Sequence, residues 1–187
     1  MFKEHTEHGQ SSLFGVQQQL SDARQEELTN SKEAVFYELV FREIPESEFA
    51  VLYSDGGSRP NTPVNQLVGA EILKHTHGWT DEALMDHVHF DIKTRYALGM
   101  VDVAEEAFCE RTLYYFREKL ETYEREMGIN LLERVFDHLT DQQLETLNVK
   151  TGIQRMDSFQ AMSNIRNYTR LEGVIVVLQR LWRVVNE

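Results

Sequence analysis

Apolar positions are spaced unevenly along the chain, and their spacing divides it into stretches. Residues 1–33 carry Gln, Glu, His and Ser with few large apolar side chains, a pattern that builds no core of its own and predicts a loosely held lead-in. Within it, residues 22–28 read as a short helix with Ser21 as the N-cap. From Ala34 the apolar density rises through Val35, Phe36, Leu39, Val40, Phe41 and Ile44. Pro45 then opens a helical turn whose face is Phe49, Leu52 and Tyr53. Residues 55–63 are rich in Gly and Pro and predict a connecting loop; Gly56, Gly57 and Ser58 lack the Lys-Ser/Thr of a phosphate-binding P-loop.

Thr62 and Pro63 predict the next helix start, as N-cap and first turn, with Val64, Leu67, Val68, Ile72 and Leu73 as its apolar stripe. Gly78 closes that helix and Thr80 caps another at once, with Asp81 and Glu82 in its first turn and Leu84, Met85 and Val88 inward. Asp91 caps a third short segment. Helix, Gly-containing turn, helix is the helix-turn-helix outline. A long helix is predicted over residues 110–127, broken by Gly128, then one over 131–139 and a short one restarting at Thr140. Near residue 152 the pattern suggests a strand ending in an acid, and a helical stripe runs from Leu171 to Val185.

Composition narrows the class. The 187 residues are 41% hydrophobic and 10% aromatic, enough for a core. Three prolines and ten glycines are too few for a many-turned sandwich or barrel. A lone cysteine, Cys109, excludes an internal disulfide and a cysteine-rich zinc module, and reads as a buried structural thiol. No apolar run reaches membrane-spanning length and the start has no signal-peptide pattern, so no membrane partner and a cytoplasmic location are expected.

The formal net charge is −12. The acids lie mainly before residue 149, whereas Lys150, Arg155, Arg166, Arg170, Arg180 and Arg183 outnumber Asp157, Glu172 and Glu187 after it. An acidic body repels the phosphate backbone, so any DNA contact must come from a local cluster of cations. His75 and His77, and His87 and His89, sit two apart, which on a helix is no shared face; they read as helix-end histidines, and no metal site is assigned. Trp79, Tyr96, Tyr114 and Tyr115 stand among Leu and Val and read as core, with base stacking as the alternative.

The stretch from Phe41 to Leu120 resembles a known family. Its carriers are Phe49 and Tyr53, Gly57-Ser58-Arg59-Pro60, Leu67-Val68-Gly69-Ala70, Gly78-Trp79-Thr80-Asp81-Glu82, Phe90-Asp91, Arg95-Tyr96-Ala97-Leu98-Gly99, Arg111-Thr112-Leu113 and Phe116-Arg117. In order and spacing these resemble the N-terminal helical domain of bacterial insertion-sequence transposases, the InsH-type domain that precedes a DDE catalytic domain. Gln154-Arg155-Met156-Asp157-Ser158-Phe159, then Ser163-Asn164-Ile165-Arg166-Asn167 and Arg170-Leu171-Glu172, resemble the opening of that catalytic domain.

The resemblance implies a mostly α fold. A helical bundle with a helix-turn-helix-like core over residues 34–148 would be followed, over 149–187, by the truncated start of an α/β, ribonuclease-H-like domain. It implies a part in DNA transposition, binding or helping to hold terminal inverted-repeat DNA. Residues 81–89 or 93–96 would approach a groove, with Lys93, Arg95, Arg111 and Arg117 as DNA contacts. Asp157 would be the first of three metal-holding acids. Strand transfer needs two divalent ions such as Mg, about 4 Å apart, held by several carboxylates. Past Asp157 the chain offers only Glu172 and Glu187, so this chain is expected to be neither an enzyme nor a metal binder by itself. The alternative reading is a protein-interaction module, dimerising or inhibitory, from a truncated transposase; self-association fits its acidity and the Leu171-to-Val185 stripe.

Overall fold

The computed structural model describes residues 1–6, 8, 15–54, 60–100, 102 and 105–146. The 55–59 loop, the segment 149–187 and with it Asp157 lie outside these. Among the described residues eight α-helices run in order: α1 (Val16–Gln19), α2 (Asp22–Thr29), α3 (Lys32–Leu39), α4 (Val64–His77), α5 (Asp81–Phe90), α6 (Ile92–Ala97), α7 (Glu110–Met127) and α8 (Leu131–Thr146). Two 3-10 stretches, Phe41–Glu43 and Glu46–Leu52, join α3 to the loop before α4. Among the described residues there is no strand; Gly15 and Asp102 form an isolated bridge. The expected mostly α bundle is therefore found, and the α/β part falls outside the described residues.

The chain divides into two compact units at Leu131 and Leu132. The core of the first unit is α4. Its stripe Val64, Leu67, Val68, Ile72 and Leu73 is buried together with Phe41, Phe49, Leu84, Val88, Leu98 and Leu113. The expected helix over 45–53 is a 3-10 stretch instead. A three-residue repeat eclipses positions i and i+3, and here it turns both Glu46 and Phe49 inward. In the second unit, α8 runs unbroken through Thr140, where a new helix start was expected. No Gly or Pro separates Leu139 from Thr140, so continuing the hydrogen-bond ladder costs less than ending it.

Most caps follow the local sequence. Gly78 and Gly128 are left-handed (φ +69° and +68°), and the Thr80 hydroxyl accepts from Ala83 N–H. Asp91 accepts from Lys93 and Thr94 N–H. Ser21 makes no side-chain cap, and Ser31 caps α3 through Ala34 N–H. The start of α4 departs from expectation. Pro63 occupies the cap position and Thr62 lies outside it, so the buried Glu46 carboxylate does the capping. It accepts from Val64 N–H at 3.1 Å and Asn65 N–H at 3.3 Å, and its other oxygen accepts from His5 N–H at 2.9 Å. A carboxylate at a helix N-terminus meets both the orphan donors and the positive end of the dipole. The same contact ties the start of the chain to α4.

Candidate nucleic-acid interface

The α4–turn–α5 pair has the outline of a DNA-reading motif, with residues 78–80 as the turn. Its chemistry argues against that use. α5 buries Leu84, Met85 and Val88, contains no Lys or Arg, and turns Glu82, Asp86, His89 and Phe90 to solvent. Acids on the outer face repel phosphate. In the turn, Trp79 is sandwiched between His77 and His87, with ring centroids 4.4 and 4.0 Å away at near-parallel angles. Partial desolvation in the stack lowers the His77 pKa below the ordinary histidine value. Spacing alone gave no sign of this stack, because three residues from two helix ends and a turn meet only once the turn is folded.

The candidate contacts separate by environment. Arg95, placed by its motif near a groove, is 6% exposed. Its guanidinium donates to the Val88 carbonyl at 3.2 Å and to the Asp102 and Glu105 carbonyls at 2.9 and 2.8 Å. A short helix packed against α3 and α5 leaves its last-turn arginine nowhere to go but inward, so Arg95 ties the fold and is not available to DNA. Lys93 is open to solvent and pairs with Glu27 of α2 at 2.8 Å.

Arg117 sits on the inner flank of α7. It donates to both Asp81 oxygens, at 2.9 and 2.7 Å, and to Glu71. Lys74 joins Asp81 at 2.7 Å. Two cations thus share one carboxylate, and the Arg117 fork first, then Lys74, holds Asp81 far below the usual carboxylate range. The same contacts raise Arg117. This network fastens α7 to α4 and α5. Leu113 and Phe116 add an apolar anchor, the Phe116 ring lying 5.8 Å from Phe49.

The outer face of α7 is different. Tyr114 is 62% and Tyr115 43% exposed, against the expectation of core. Leu113 and Phe116, at i and i+3 to each other, already fill the inward stripe, so the two tyrosines between them face out. Arg111 lies 5.1 Å from the Tyr115 centroid and donates to its hydroxyl through Nε at 2.8 Å and Nη2 at 2.5 Å. Among the described residues Arg111 holds no carboxylate. Lys119 stands 4.2 Å above the Tyr53 ring. Arg111, Tyr115 and Lys119 follow at four-residue steps, so a cation–aromatic–cation row runs along the helix. Of the four basic residues singled out by sequence, Arg111 alone stands in an accessible cluster and is held by an aromatic side chain rather than by a carboxylate or buried carbonyls. The tyrosines completing it carried the signal as adjacent aromatics beside an arginine.

Among the described residues no group of three or more His, Cys, Asp or Glu is placed to hold a metal, and no helix is long and apolar enough to cross a membrane. A family model described as Transposase domain (DUF772) matches residues 22–119, more than half of the chain. No curated protein and no solved structure matches it.

Proposed function

The chain belongs to the DUF772 transposase-domain family, and on that premise we propose that it holds the terminal inverted-repeat DNA of its element through the outer face of α7. The observation that carries this reading is the pair of water-exposed tyrosines beside Arg111, inside the family-matched stretch and on a helix braced from behind. Exposed aromatics beside a guanidinium that holds no carboxylate are the groups that grip sugar, base and phosphate. The contact is moved away from Arg95 and Arg117, which serve the fold. In this reading the chain works beside the chromosome in the cytoplasm. Its part in this reading is to hold DNA rather than to cut or join it.

Fluorescence anisotropy on a duplex carrying the terminal repeat, against a scrambled duplex, tests it. Wild type is expected to prefer the repeat, and Arg111→Ala with Lys119→Ala to weaken binding to both. Absence of binding to either duplex at low salt overturns the reading.

A second reading, a protein-interaction module of the transposition machinery, rests on the acidic outer face of α5 and on cations neutralised inside the fold. A mass that rises with concentration in sedimentation, together with no DNA binding, would select it.

A further inference from the structure

Resting on that reading, we infer that the α7 face takes hold of unpaired bases at an element end, with Tyr114 as the stacking surface. Two rows of side chains on the helix lead there. One is Arg111, Tyr115 and Lys119; beside it, at the same four-residue steps, run Glu110, Tyr114 and Glu118. Both glutamates are exposed. Tyr115 is committed: Arg111 lies over its ring and holds its hydroxyl. Tyr114 is more open, and its ring meets Tyr115 edge-on, with centroids 6.1 Å apart and planes at 64°. Much of the Tyr114 side chain is therefore open to an incoming base.

A duplex brings two phosphate rows across a broad groove. On this helix one row of phosphates would find Arg111 and Lys119, and the other would fall on the side of Glu110 and Glu118. A single strand brings one row of phosphates. Its backbone follows the cations while a base turns onto Tyr114, and stacking needs no charge on the protein. The bracing of α7 through Phe116 and Arg117 keeps the ring in place, so little ordering is needed on binding.

The test compares a blunt terminal-repeat duplex with the same duplex bearing a short oligothymidine extension, by anisotropy, for the wild-type chain, Tyr114→Ala and Tyr114→Phe. Stacking of one base changes affinity by about tenfold or more. The extension is expected to tighten wild-type binding by about that factor. Tyr114→Ala should lose the preference and Tyr114→Phe should keep it. Circular dichroism should be the same for all three, since the ring lies outside the core. Equal wild-type affinity for the two probes, or a preference that survives Tyr114→Ala, overturns the stacking inference while terminal-repeat binding stands. No binding to either probe overturns terminal-repeat binding itself, and the inference with it.

Discussion

Gly99 and Gly128 have nearly the same backbone, φ +66° and +68°, and very different surroundings. A Cβ at Gly99 would lie 2.6 Å from Phe41 Cε1 and 2.9 Å from both Phe41 Cζ and His8 Cβ; at Gly128 it would meet nothing within 4 Å. Gly128→Ala therefore carries only the left-handed strain of about 1 kcal/mol. Gly99→Ala adds a clash with a ring that is itself fully buried and has no room to retreat, and should cost about 3 kcal/mol. Urea midpoints of the two variants check this, and equal losses would refute it. Arg95 makes a parallel case. Arg95→Met keeps most of the stem and leaves three carbonyls without their donor, which should cost about 3 kcal/mol in the same assay. A substitution that is neutral for stability and damaging to DNA binding would return Arg95 to the interface. The sequence marks this arginine as basic and motif-borne. Its burial follows from how closely α6 packs on α3, a distance no local pattern encodes.

At the scale of elements, what could be read locally is what is decided locally. Thr80 and Asp91 caps, the Gly78 and Gly128 stops and the stripe of α4 are each set within a few residues. What failed to show was set from a distance. Glu46 capping α4 across the intervening loop is one case. The Arg117–Asp81–Lys74 knot is another, linking residues 36 apart in sequence at its strongest hydrogen bonds. The knot has a pH signature. Asp81 is pulled below its unfolded value, so its contribution is fully present above about pH 4 and is lost as pH falls further. Partial exposure of the pair limits that contribution to about 1–2 kcal/mol. Asp81→Asn should thus destabilise the chain at pH 7 and destabilise it by less at pH 2.5, where part of the contribution is already lost. A gap between variant and wild type that stays constant over that range would mean the carboxylate charge does not stabilise the junction.

For the molecule as a whole, the excess of acids is the constraint on any nucleic-acid role. Lys74, Lys93, Arg117 and Arg125 each hold a carboxylate, and Arg95 is buried on carbonyls. Releasing any of them to a phosphate would break an ion pair or a buried hydrogen bond. The α7 face thus has about two cations to offer, Arg111 and Lys119, which among the described residues are held by aromatic side chains alone. Counterion release scales with the number of phosphates neutralised, with a slope in log affinity against log salt of about −0.9 per contact on duplex and about −0.7 on single strand. Two contacts give a slope between about −1.4 and −1.8, against about −10 for a strongly basic DNA-binding protein. Affinity should fall only about tenfold between 50 and 200 mM salt, because aromatic contact carries the remainder and is not screened. Arg111→Ala should flatten the slope by about one contact, whereas Tyr114→Ala should lower affinity at every salt concentration and leave the slope alone. A steep slope in the wild type would place many more cations at the DNA than the α7 face holds. The basic stretch that includes Arg166, Arg170, Arg180 and Arg183 would then be the segment to substitute next.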